Sequence, residues 1–151
     1  MAHQLITVPD PRLRKRCEEV KRIDRSVRAL VKEMQSYVGK LGGYGFGLAA
    51  PQFGELLQIF VINCFGFEAV LINPSITKES EKYHIVQEGC LSIPGEYFLV
   101  KRPKIVKMRG LGINGEQRSV KGHDYIAQVL MHEYQHLYGI LVEDIALRRI
   151  R

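Results

Sequence analysis

DYIAQVLMHEYQHLYG, residues 124–139, reads as one helix wrapped in apolar side chains that nevertheless carries two histidines. Ile126, Ala127, Leu130, Met131, Tyr134, Leu137 and Tyr138 cover much of its circumference, so the helix belongs in the middle of the fold. Gly139 stops it. His132 and His136 project from nearly the same face one turn apart, which lets two imidazoles converge on one metal ion. Glu133 lies about 100° around the helix from His132. It can hang beside such an ion without ligating it, where a general base belongs. By composition alone H-E-x-x-H arises in about one such chain in a hundred, usually as an ordinary polar helix face. The apolar flanks argue otherwise, because buried imidazoles need polar partners and a metal supplies one.

Upstream of this helix the pattern is that of strands. LLQIFVIN (56–63) and AVLINPSI (69–76) are short and rich in β-formers, with a glycine-bearing turn between them. Segments 82–87, 97–101, 104–109 and 117–120 are further candidates, and Asn114-Gly115 marks a hairpin between the last two. Nearer the start, Pro9, Asp10 and Pro11 break the chain, and a short basic turn covers Arg12 to Val20. Asp24 then caps a helix with apolar positions at Val27, Leu30, Val31, Met34, Tyr37, Val38 and Leu41, ended by Gly42-Gly43. A helix, several antiparallel strands and a second helix define an α+β class: antiparallel sheets packed around the central metal-binding helix, with an N-terminal helix.

Length and composition bound the rest. A chain of 151 residues without repeats or linkers is expected to form one domain, 1–151. It should bury roughly 70% of its unfolded surface. Hydrophobic residues at 46% and charged residues at 25% are those of a soluble globular protein. No run of about 18 apolar residues suggests a membrane span, and MAHQLITVPD lacks a secretory pattern. Cys17, Cys64 and Cys90 form no short-range pairing pattern, which favours free thiols in a reducing compartment, one of them a ligand. The net charge of +6 suits acidic surroundings such as ribosomal RNA. The basic residues are scattered, however, so solubility accounts for them at least as well, and no direct nucleic-acid specificity is indicated.

Two histidines do not make a metal site. A histidine three residues after Gly139 would continue one protease pattern, but Val142 stands there. A glutamate from a downstream helix would continue another, but only fifteen residues follow His136 and Glu143 comes just past the break at Gly139. The third ligand must therefore lie upstream, where Cys90 in QEGCLSIPG (87–95), Cys64 in VINCFGF (61–67), His84 and His123 are candidates. A lone cysteine is most often a small core residue. Cys64, ending an apolar strand, fits that description better than Cys90.

Three stretches, GFGLAAPQ (45–52), EGCLS (88–92) and HEYQH (132–136), resemble in order and approximate spacing the three signature motifs of the peptide deformylases. The similarity extends to the first helix and to HLYGILVED (136–144). The resemblance implies that Cys90, His132 and His136 bind one divalent metal ion, with a fourth position open to water. Ferrous iron is the implied native ion, with zinc or nickel as substitutes. Glu133 would be the general base and acid, while Gln52 and the Leu91 N–H would donate to the developing oxyanion. Gly45, Gly47 and Gly89 would line the site where the substrate backbone approaches. Phe46, Leu91, Gln128, Val129 and the His132 ring would form the methionine pocket. The implied reaction removes the formyl group from the formyl-methionine of nascent polypeptides and releases formate. The setting is close to the ribosome, in a bacterial-type cytoplasm or an organelle, with a monomer expected and no membrane.

The chain departs from the family pattern in three places. Gln135 replaces an aspartate that is usually paired with an arginine matching Arg102; it can hydrogen-bond Arg102 but cannot neutralise it. Met131 replaces a commonly polar residue. The end, IALRRIR (145–151), can form little more than a turn or short strand, where many bacterial members extend into a further helix credited with ribosome docking. Two other readings are a deformylase-like enzyme for a different N-acyl group and a basic binding module with a purely structural metal. Glu133 and Gln52 weigh against the latter, since a structural site needs neither.

Overall fold

The structure, a computed structural model, describes residues 2–42 and 44–150, without the side chains of residues 44 and 45. Gly43, half of the expected Gly-Gly stop, and the surroundings of Gly45 lie outside the described residues.

The first helix, α1 (Arg25–Gly39), begins where expected: the Asp24 carboxylate accepts from the Val27 N–H at 3.0 Å. It ends at Gly39, and Leu41 falls in the following turn. Its buried side chains, Val27, Leu30, Val31, Met34 and Val38, form the apolar stripe read from the sequence. Each contributes about 1.5–3 kcal/mol by leaving water.

Strands β1 (Tyr44–Ala49), β2 (Ile59–Cys64), β3 (Phe67–Glu79), β6 (Ile105–Leu111) and β7 (Gln117–His123) form a five-stranded sheet in the order β1-β2-β3-β6-β7. Strands β4 (Tyr83–Cys90), β5 (Ile93–Pro103) and β8 (Arg148–Arg149) form a second, three-stranded sheet. All these pairings are antiparallel. The larger sheet lies between α1 and the second long helix, α2 (Tyr125–His136). Strand β2 explains why IFVIN is continuously apolar. Ile59 and Val61 pack on the α1 side, and Phe60, Ile62 and Cys64 on the α2 side. The smaller sheet packs Ile93, Phe98 and Val100 with Leu13, Leu141 and Val142, the last from the short helix α3 (Val142–Ile145).

Several strands outrun their apolar segments. β3 continues through exposed Thr77, Lys78 and Glu79; Lys78 and Glu79 pair with β6, past a register shift at Thr77, although nothing apolar marks them. β1 carries glycines and did not read as a strand; it forms because Leu48 and Ala49 are buried against its neighbours. Gly139 ends the second helical region at φ 72°, and a Cβ there would lie 2.4 Å from the Arg14 carbonyl oxygen, so no other residue fits without a shift. The end of the chain contributes the two-residue strand β8. No described helix is long and apolar enough to cross a membrane.

The N-terminal segment is clamped at His3. Its ring stacks on Phe53 and lies 2.8 Å from Glu33 Oε1 and 3.2 Å from Glu55 Oε1. Hydrogen bonding to Glu33 and Glu55 raises the His3 pKa above its ordinary value, and the same contact lowers that of Glu33. The His3 contribution is present below its unfolded pKa of about 6.5 and lost as pH rises through the folded value; the Glu33 contribution is lost in acid. His3→Gln should therefore lower the melting temperature most at pH below about 6, with the gap to the parent protein narrowing as pH rises through the raised folded value. A gap that does not change with pH would remove the clamp.

Candidate active site

The β4–β5 hairpin and α2 meet at a cavity of about 530 Å3. His132 and His136 rise from one face of α2 with Nε2 atoms 3.3 Å apart. Cys90 ends β4, and its Sγ lies 3.5 Å from His136 Nε2. The pairing shifts between Glu88↔Phe98 and Cys90↔Ile93, so a bulge re-aims the strand as it reaches the cysteine. All three donor atoms lie within 4.8 Å of one another. His84 and His123 are elsewhere, paired in the ladders with Arg102 and Ile105. Cys64 is a core residue whose thiol burial, with Glu133 nearby, pushes up to about 12.

A buried charge network holds the first histidine. His132 Nδ1 donates to Glu88 Oε2 at 2.6 Å, which turns Nε2 toward Cys90 and His136 as the nitrogen that would bind an ion once it gives up its proton. Arg102, 1% exposed, grips Glu88 with two bonds, Nε to Oε1 at 3.0 Å and Nη2 to Oε2 at 2.6 Å. Its Nη1 donates to Gln135 Oε1 at 2.7 Å. Burial raises the Glu88 pKa, but His132 and Arg102 outweigh it and hold the carboxyl down at about 2. Glu88 was not singled out from the sequence. The available signal is a charged residue two before Cys90 in a strand that leads into the candidate ligand.

Donor chemistry fits a divalent cation. One thiol and two imidazole nitrogens converge, and Cys90, Glu88 and Glu133 make the surroundings anionic enough to favour positive charge at His132 despite its burial. Burial and the neighbouring His132 charge push His136 the other way, toward the neutral ring that a metal requires. Iron, nickel and zinc all suit this mixed sulfur and nitrogen set.

Glu133 is 3% exposed, burial pushes its pKa up to about 7, and Oε1 has no hydrogen-bond partner among the described residues. Its carboxylate lies across Gly47. A Cβ on that glycine would sit 2.7 Å from both Glu133 Cγ and Oε2. The glycine is thus required by an acidic side chain inside the protein, before any substrate is considered. Gln52 stands in the 3-10 turn Ala50–Phe53, 1% exposed; Oε1 accepts from the Ala49 N–H at 2.9 Å, and Nε2 lies 4.0 Å from Cys90 Sγ. Leu91 occupies the turn between β4 and β5.

Phe46, Gly47, Gln52, Gly89, Leu91, Gln128, Val129, His132 and Glu133 all line the cavity, as do Tyr97 and Tyr125. Gln128 turns its Nε2 onto the Gln87 carbonyl at 3.1 Å, which ties its polar end to β4. Tyr125 was legible: Tyr125, Gln128, Val129 and His132 follow the i, i+3, i+4, i+7 rule. Tyr97 was not, because the bulge hides its position opposite Gly89, whose Cβ would meet Tyr97 Cε1 at 3.1 Å.

Two substitutions probe this arrangement. Gly47→Ala should cost about 1–3 kcal/mol and turn Glu133 to another rotamer; a crystal structure with Glu133 unmoved would refute the close contact. Glu88→Ala leaves a buried guanidinium without its carboxylate and should cost about 3–5 kcal/mol in denaturant unfolding. A loss under about 1 kcal/mol would mean that Arg102 finds another partner.

Residues 2–149 match the family model described as polypeptide deformylase. The peptide deformylase of Alkaliphilus metalliredigens is 43% identical over 145 residues, spanning 95% of this chain and 97% of that protein. That of Pseudothermotoga lettingae is 39% identical over 145 residues, spanning 96% and 83%. Among solved structures, the peptide deformylase of Thermotoga maritima superposes with a TM-score of 0.91 at 30% identity, covering 98% of this chain and 99% of that one. The enzyme of Synechococcus elongatus in complex with actinonin gives 0.89 at 36% identity, covering 97% and 79%. Matched by the family model and by these relatives along nearly its whole length, the chain belongs to the polypeptide deformylase family, metal-dependent hydrolases that remove the N-terminal formyl group from nascent polypeptides.

Proposed function

We propose that Cys90, His132 and His136 hold one divalent ion, natively ferrous iron, and that Glu133, Gln52 and Leu91 carry the deformylation of formyl-methionyl peptides around it. The observation that supports this most is the convergence of one thiol and two imidazoles, with Cys90, His132 and the buried Glu133 carboxylate lining the same cavity. The thiolate is a soft donor, which suits iron, zinc or nickel better than magnesium or calcium. When bound, the ion supplies Lewis acidity and lowers the pKa of water toward neutrality.

The chain's own groups do the rest. Glu133 takes a proton from the attacking water and returns it to the amine nitrogen as the formyl C–N bond breaks. Formate and a peptide with a free amino terminus leave. Negative charge that grows on the formyl oxygen meets the Gln52 Nε2–H and the Leu91 N–H, donors fixed before the substrate arrives. Glu88 and Arg102, with Gln135, keep the His132 ring in register. The methionine side chain enters between Phe46, Leu91, Gln128, Val129 and the His132 ring. β1 is the outermost strand of its sheet, so the peptide can pair beside Gly45–Gly47 as an added strand, with Gly89 on the other wall. The protein acts as a single catalytic domain and a monomer on emerging chains, close to the ribosome, in a bacterial-type cytoplasm or an organelle.

Formate release from formyl-Met-Ala-Ser by the iron- or nickel-loaded protein tests this reading. Glu133→Ala should keep its metal and lose about 10²–10⁴-fold in turnover. Chelation should abolish activity, and adding metal should restore it. Glu133→Ala with full turnover would remove the carboxylate from the mechanism. Hydrolysis of acetylated but not formylated peptides would reassign the substrate, and a metal-loaded protein inert to both would leave the site a structural role.

A further inference from the structure

The N-terminal segment is bonded to both loops that carry the site. Ile6 N–H donates to the Gln52 carbonyl at 2.8 Å, and Val8 N–H to the Ser92 carbonyl at 2.9 Å. Ser92 is fully buried, and its Oγ donates to the Ile6 carbonyl at 2.8 Å. A hydroxyl has one proton, so with that proton committed it can only accept from anything else. Gln52 Nε2 fills that role, donating to Ser92 Oγ at 3.1 Å.

The other end of the Gln52 amide is held with equal chemical selectivity. Oε1 accepts from the Ala49 N–H at 2.9 Å, and an N–H cannot accept from an amide nitrogen. Turning the amide over would set Nε2 against the Ala49 donor. It would also require Ser92 to withdraw its proton from Ile6, orphaning a carbonyl. Each end of the amide is therefore assigned by its neighbour. One Nε2 hydrogen remains beyond the bond to Ser92, and Nε2 lies on the Cys90 side of the cavity wall.

We infer that Ser92, oriented by the Ile6 carbonyl, is a positioning residue that fixes which end of the Gln52 amide faces the formyl oxygen, making residues 6–8 part of the active-site scaffold. The inference rests on the donor role proposed above for Gln52. Ser92 also directly follows Leu91, so the same contacts hold the turn that presents the second proposed donor.

Ser92→Ala deletes one oxygen and no carbon. In the metal-loaded protein, kcat for formyl-Met-Ala-Ser should fall on the order of 10-fold, against about 10²–10³-fold for removing the donor itself in Gln52→Ala. KM and metal content should stay within about twofold, since neither ligand nor methionine pocket is touched. In a Gln52→Ala background, Ser92→Ala should add less than about twofold, because it acts through an amide already gone. In the unaltered protein, the two Gln52 side-chain protons should be resolved in nitrogen-edited NMR spectra and show a through-space contact to the Ser92 β protons. This readout does not depend on whether Ser92→Ala folds. An unchanged kcat in Ser92→Ala, a full extra drop in the double variant, or averaged Gln52 protons overturns the inference. Full activity in Gln52→Ala instead brings down the donor role on which it rests.

Discussion

The Glu88 carboxylate, clasped by the Arg102 guanidinium and the His132 ring, is the contact on which the arrangement depends. It joins β4, β5 and α2, elements of the smaller sheet and of the central helix. Three charged or ionisable groups there are out of water, and each is tolerable only because the other two are in place. The network does more than hold the elements together. It settles which nitrogen of His132 carries the proton, and so which nitrogen is offered to the cluster.

Much of the fold could be read because apolar spacing is local. α1 followed from Asp24 and its stripe, and α2 from the near-continuous apolar coat around His132 and His136. What failed depends on partners distant in sequence. β1 is a strand because β2 lies beside it, and β3 extends into Lys78 and Glu79 because β6 supplies a ladder, facts that no local pattern carries. The same division runs through the site. A helical turn brings the two histidines together, whereas spacing alone left Cys90, Cys64, His84 and His123 open as third ligands. Only the hairpin topology separates them, and only the resemblance to a family singled out Cys90 beforehand. Glu88 sits inside EGCLS yet carries no local sign of its role, because its meaning lies in Arg102, fourteen residues away in the chain.

Gln135 shows how a neutral group can occupy a place expected to be acidic. It accepts from Arg102 Nη1 at 2.7 Å, so the guanidinium keeps a third acceptor while Glu88 remains its only carboxylate partner among the described residues. The pair is then internally neutral. An aspartate at 135 would add a part-buried negative charge one residue from His136. The glutamine keeps the geometry and removes that charge.

β1 is the outer strand of the larger sheet, and among the described residues no strand pairs with its far side. An unpaired edge is indiscriminate: any extended polypeptide, including another copy of the same sequence, can template on it and begin to aggregate. Here the hazard is limited by poor material. The edge is only six residues long and is interrupted by glycines, which are weak β-formers. A stray chain gains few ladder bonds from so short a seam. The features that make β1 a poor strand protect the molecule from itself.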